Sequence, residues 1–138
     1  MSERDVDVMR RWVADFTAGN LAGVIEAMHP EVVLNEGEGL PWGGDHVGRE
    51  GFQRLLETIL SGFELSVDSS ELSDAGTFVV ARMHVTFTAR VTGRAVPMPI
   101  IELWELRDGL IWRGDVYYKD TKAIADAHAE ALASADGH

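Results

Sequence analysis

The chain has 138 residues and no cysteine, so it is of single-domain size, and disulfides, thiolate chemistry and cysteine-bound metals are excluded. Its formal net charge of −11 repels phosphate backbones and anionic membranes, which argues against nucleic-acid and membrane partners. No run approaches the roughly 20 apolar residues that span a bilayer, the acidic start MSERDVDVMR lacks the form of a signal peptide, and the absence of cysteine suits a reducing cytoplasm.

The first element is a helix over 5–18. Val8, Trp12 and Phe16 recur at four-residue spacing, with Met9 and Val13 beside them, and make one apolar stripe. Gly19-Asn20 stops it. A short second helix over 21–28 ends at His29-Pro30. Val32-Val33-Leu34 reads as a short strand, and NEGEGLPWGGDHVG, over 35–48, reads as a glycine-rich loop. A third helix over 49–60 carries Phe52, Leu55, Leu56, Ile59 and Leu60 on its buried face. From Phe63 to Tyr118 the pattern is antiparallel strand, punctuated by turns at 73–76, 92–94 and 107–109; Asp108-Gly109 is a strong hairpin signal. Asp120 or Thr121 caps a last alanine-rich helix expected to fray after Leu132.

Helices followed by a four-strand meander predict an α+β fold, with helices packed on one sheet face. The segment IIELWEL is apolar on both alternating sets, Ile100 and Trp104 on one, Ile101 and Leu103 on the other. A strand apolar on both faces is expected to be covered on both, by the helices on one side and by a second subunit on the other.

The order of these pieces resembles the nuclear transport factor 2-like superfamily, which includes ketosteroid isomerases, limonene epoxide hydrolase and SnoaL-like polyketide cyclases. The likeness is carried by the first helix running into TAGN, the HPEVVLNE segment, the loop ending in VGREGF, and the pair IIELWELRDGLI and VYYKD. It spans nearly all of 1–138 and implies one domain, a cone-shaped roll with its N-terminal helices on a curved antiparallel sheet. Matched to the ketosteroid isomerases, Trp12 stands at the position of a first-helix tyrosine that donates to the substrate oxygen. Glu36 matches the general-base aspartate, and Glu102 matches the second acid of the oxyanion hole. The tyrosine is replaced and both acids are one methylene longer. The resemblance thus implies a cofactor-independent enzyme that enolises an apolar carbonyl compound and isomerises or cyclises it, with a ligand carrier as the alternative. In the same register the catalytic residues of the epoxide hydrolase fall on Met83, Val85 and Val116, which cannot do that chemistry. A one-residue slip offers Arg82, His84 and Asp115 instead, at the cost of turning every side chain to the other face.

In the preferred register one sheet face carries Met83, Val85, Phe87, Met98, Ile100, Glu102, Trp104, Trp112, Val116 and Tyr118. Trp12, Phe16 and Met28 lie against it from the helices. Such a lining suits a flat apolar molecule with few polar handles. Glu102, among Ile, Leu and Trp, is poorly solvated, and desolvation favours its protonated, hydrogen-bond-donating form. Glu36, at the pocket mouth, is expected to stay ionised and act as base. Trp42 in LPWGG is either a lid over the pocket or an anchor for its loop. His46 is a loop histidine or an alternative base, and His29 belongs to a helix end. The five histidines have no close ligand spacing, so no metal site is expected.

Overall fold

The computed structural model describes residues 3–136. Helices α1 (Glu3–Thr17) and α2 (Leu21–Glu26) precede strand β1 (Met28–Glu36) and the short strand β2 (Gly44–Val47). Helix α3 (Gly48–Gly62) follows, then strands β3 (Phe63–Asp74), β4 (Val79–Ala89), β5 (Ala95–Arg107) and β6 (Leu110–Tyr118), and finally helix α4 (Thr121–Asp136). The architecture is α+β, with helices against one curved, unclosed sheet.

Each helix forms where its apolar spacing allows a buried stripe. In α1 the stripe is Val6, Met9, Trp12 and Val13; in α3 it is Phe52, Leu55, Leu56 and Ile59. Burying each large side chain contributes about 1.5–3 kcal/mol. The Asn20 side chain accepts from the Gly23 N–H and caps α2, supplying a partner that the first turn lacks within the helix. Helix α4 buries Ile124 and Ala127, and Arg94 pairs with its Glu130 at 2.6 Å. It continues past Leu132, where fraying was expected, to Asp136.

The six strands lie in the order β2-β1-β6-β5-β4-β3. Strands β3 to β6 form the expected antiparallel meander, and β1 joins its far edge by pairing parallel to β6. The β5–β6 turn uses Asp108 and Gly109 at φ 53° and 77°, the left-handed pair that matches a tight hairpin to the twist of its strands. On β4 the alternation is strict: Val79, Ala81, Met83, Val85, Phe87 and Ala89 are all buried. Pairing then fixes the inward set of β5 and β6 through Met83↔Ile100, Val85↔Met98, Glu102↔Val116 and Trp104↔Gly114.

Two boundaries differ from the sequence reading. Met28 begins β1 instead of ending a helix, because α2 stops at Glu26 and Met28 enters register with Ile111 of β6. The segment read as a loop over 35–48 contains the end of β1 and all of β2. Asn35↔Asp45 and Glu36↔Gly44 are ladder pairs, and Asn35 Nδ2 donates to Asp45 Oδ1 at 2.8 Å. Pairing with β1 outweighs the weak strand propensity of a glycine-rich stretch.

Candidate functional site

The site begins with a row across three strands. Glu36 on β1 stands opposite Val116 on β6, and Val116 stands opposite Glu102 on β5. Two interstrand spacings separate the α-carbons of the acids by roughly 10 Å. Both carboxyl groups line one cavity, and the charge of Glu102 is felt at Glu36. The alternation Val32, Leu34, Glu36, all buried, turns Glu36 inward. Glu36 is therefore a strand residue inside the fold, and its expected place in a solvated loop at the mouth is corrected.

The cavity has a volume of about 90 Å³. Phe16 of α1 and Met83, Val85, Phe87, Ile100, Trp104, Val116 and Tyr118 of the sheet line it, as expected from their register. Trp12 also lines it, its ring centroid 4.9 Å from that of Trp104 and 6.2 Å from that of Phe52. The remaining wall comes from Val13, Leu34, Phe52, Leu55, Leu56, Ile59, Leu65 and Val67, none assigned to the site from sequence. The buried face of α3 was legible as a stripe. Leu65 and Val67 carry the period-two signal of FELSVD, in which Glu64, Ser66 and Asp68 are exposed.

The acids are held by aromatic donors. Trp42 Nε1 donates to Glu36 Oε1 at 3.0 Å, and the Tyr118 hydroxyl donates to the same oxygen at 3.2 Å. Trp104 Nε1 donates to Glu102 Oε1 at 3.1 Å. The Trp104 ring reaches that position by lying over Gly114. A β-carbon on Gly114 would fall 2.7 Å from Trp104 Cε3 and 2.9 Å from Leu34 Cδ1, closer than side chains tolerate. No lysine, arginine or histidine lines the cavity among the described residues.

Burial pushes the Glu36 carboxyl up to about 8; the Glu102 charge adds to the rise, and the Trp42 and Tyr118 hydrogen bonds oppose it. Burial likewise raises Glu102 to about 7, opposed by the Trp104 hydrogen bond. Glu102 lines the cavity and is half-buried, with its carboxyl among apolar neighbours, and burial is the largest influence on its protonation. Neutralising a carboxyl relieves the cost of desolvating its charge, and the Glu102 charge makes ionisation of Glu36 less favourable still. The expected division into a freely ionised Glu36 and a protonated Glu102 becomes a coupled pair. Burial and the neighbouring Glu36 charge also raise the Tyr118 hydroxyl well above its ordinary value, so it remains a proton-bearing donor.

Several assigned residues do something else. The Trp12 indole N–H is spent on the Val24 carbonyl oxygen at 3.1 Å, so the donor role expected for it is not open in this structure. Met28 and Met98 are buried, but the cavity wall does not include them. Trp42 is no lid. It is buried behind Glu36, stacked on Phe87 at 6.3 Å and edge-on to Phe63 at 5.9 Å. Trp112 is turned out of the cavity by a register shift near Leu106, and the Arg107 and Arg113 guanidinium groups lie 3.6 and 3.9 Å from the centre of its ring. Arg82 and His84 are exposed, and Asp115 shares their sheet face, opposite to the cavity; the epoxide-hydrolase arrangement has no basis. His46 meets the Trp42 carbonyl oxygen at 2.8 Å, and His29 Nδ1 accepts from the Glu31 N–H within β1. Among the described residues no group of three or more His, Cys, Asp or Glu is placed to hold a metal ion, and no helix is long and apolar enough to cross a membrane.

The family model for the SnoaL-like domain matches residues 9–114, most of the chain and nearly all of the site. The chain belongs to the SnoaL-like family. No curated protein matches it. Among solved structures, this SnoaL-like chain is similar to an NTF2-like protein of unknown function from Burkholderia pseudomallei, with 20% identity and a TM-score of 0.83 over 93% of this chain and 98% of the other. It is also similar to TerC co-crystallized with polyporic acid, at 21% identity and a TM-score of 0.81 over 91% and 98%. A third similar structure, named as a candidate polyketide cyclase of Xanthomonas campestris, has 21% identity and a TM-score of 0.78 over 91% and 97%. At these identities the likeness shows the nuclear transport factor 2-like fold. The SnoaL-like cone thus encloses two coupled acids in an apolar chamber.

Proposed function

We propose that this SnoaL-like domain binds a small apolar carbonyl compound and moves a proton on it, as an isomerase or cyclase. Membership of the family supports a small-molecule isomerase, cyclase or binding module. The observation that carries the finer reading is the Glu36–Val116–Glu102 row, which sets two carboxyl groups on one apolar cavity.

With one proton between them, the pair offers a carboxylate and a carboxylic acid together. Glu102 keeps the proton and donates to the substrate oxygen, and Glu36 takes a proton from the carbon beside the carbonyl. Glu36 sits higher in the resting pair partly through the charge of Glu102. With Glu102 neutral that repulsion is gone, and the two donors on Glu36 Oε1 favour its carboxylate against the burial that raises it. The carbonyl compound then becomes an enolate whose oxygen accepts the Glu102 hydrogen bond, and Glu36 returns the proton at another carbon. The cavity is smaller than the roughly 150 Å³ that admits benzene, so a ring-sized ligand displaces lining side chains as it enters.

Exchange of α-hydrogens for deuterium from D2O, followed by NMR over a panel of small cyclic ketones and enones, tests the reading without knowledge of the product. We expect exchange by the wild-type chain and a loss of about 100-fold or more in Glu36→Gln. A wild-type chain that binds apolar ketones yet exchanges nothing overturns the catalytic reading. The binding module, favoured by the engaged Trp12 N–H, then stands. Exposed Ile101 and Tyr117 on the outer sheet face support a homodimer through that face, which sedimentation would reveal.

A further inference from the structure

Trp42 has no surface on the cavity, yet much of its surroundings serves to place its N–H. The segment from Gly37 to Gly43 closes on itself: the Leu40 N–H donates to the Gly37 carbonyl oxygen and the Gly43 N–H to that of Leu40, each at 3.0 Å. A β-carbon at Gly43 would fall 2.5 Å from the Gly37 oxygen, so the closure needs glycine there. Gly39 packs on Thr121 at the start of α4, and His46 meets the Trp42 carbonyl oxygen. The ring itself is wedged between Phe63 and Phe87.

What this scaffold presents to Glu36 is one N–H on one oxygen. Tyr118 approaches the same Oε1 from the cavity side, so two donors fix the carboxyl plane. Glu36 Oε2 has no partner, while no buried side-chain oxygen or nitrogen among the described residues lacks one. Glu36 Oε2 is therefore the oxygen that borders open space, and the cavity supplies that space.

We propose that Trp42 is a positioning residue, whose indole N–H, set by the closed loop of residues 37–43, locks Glu36 with Oε2 toward the cavity. This rests on Glu36 being the group that exchanges a proton with the ligand. The bond also favours the carboxylate over the acid, because a charged oxygen accepts an N–H more strongly than a neutral carboxyl oxygen does. A loop outside the cavity thereby sets the orientation and the proton affinity of an acid inside it.

The test uses the full chain without ligand. Trp42→Phe keeps an aromatic ring between Phe63 and Phe87 and removes the N–H. Glu36 is titrated by carboxyl 13C NMR, its resonance assigned by its loss in Glu36→Gln. The expected result is a midpoint higher by about one unit in Trp42→Phe. An unchanged midpoint in a folded variant overturns the proposal and leaves Trp42 as a hydrophobic anchor. Should Trp42→Phe fail to fold, the wild-type chain gives a second reading. The Trp42 indole proton resonance is expected to move downfield as Glu36 ionises, with the same midpoint, and a resonance indifferent to that titration overturns the proposal. Neither reading requires turnover. A shifted midpoint without deuterium exchange would defeat the enzymatic reading of Glu36 while the assignment of Trp42 as the residue that orients it holds.

Discussion

Replacing both cavity acids by their amides is expected to remove a steep pH dependence of stability. In the wild-type fold the carboxyl groups of Glu36 and Glu102 are raised from 4.5 to about 8 and about 7. A carboxyl raised in the folded state favours folding while it is neutral. Its contribution is complete below about pH 4.5 and is withdrawn as pH climbs through the folded values, because above them the fold must ionise a buried acid or bind a proton that the unfolded chain does not hold. The two shifts together amount to about 6 units, on the order of 8 kcal/mol. Water drawn into the cavity at high pH relieves part of this, so several kcal/mol is the expected loss between pH 5 and pH 9. The assay is urea unfolding at intervals across that range, with free energies from linear extrapolation. The Glu36→Gln/Glu102→Gln chain is expected to lose only what its exposed acids contribute, so the two curves converge near pH 5 and separate toward pH 9. Parallel curves would refute the placement of both carboxyl groups in a poorly solvated chamber.

Other perturbations follow from single contacts. Gly114→Ala forces a methyl group into Trp104 and Leu34; about 1–3 kcal/mol of destabilisation is expected in thermal melts, with loosening of the Trp104–Glu102 hydrogen bond. Trp12→Phe strands the Val24 carbonyl and is expected to cost about 1–3 kcal/mol of stability in thermal melts. Val85→Phe adds a ring to the cavity wall, and displacement of an apolar fluorophore is expected to show at least tenfold weaker ligand binding with the fold retained by circular dichroism. Arg82→Ala alters an exposed residue on the opposite face, so binding and any deuterium exchange are expected to stay at wild-type levels.

The inward register of the meander was legible because β4 alternates without interruption, so burial on one face leaves no room for a one-residue slip there, and pairing carries that register into β5. Glu102 was legible for the same reason. The environment of Glu36 was not. Its burial depends on β2, a four-residue edge strand written in loop-like residues, and on β6, which arrives some 80 positions later. Trp112 obeys the alternation in sequence but sits beyond a bulge, which a repeat of two cannot reveal. Trp12 was placed on the right surface, yet the partner of its N–H is a backbone carbonyl of α2, and sequence pattern carries no information on such a bond. Leu65 and Val67 escaped notice as wall residues because their strand is otherwise polar, with only every second residue facing in.

The parallel pairing of β1 with β6 joins segments far apart along the chain; the Tyr118–Glu36 hydrogen bond bridges 82 positions. Until β6 docks, Glu36 remains in water and ionised at neutral pH, and only that docking can carry it inside. Closing so long a span is slow relative to forming helices and hairpins. Refolding at pH 7 should therefore consume protons from the medium in its final phase, after most backbone structure has appeared. A pH-indicator dye in a weakly buffered stopped-flow experiment would time the completion of the chamber directly.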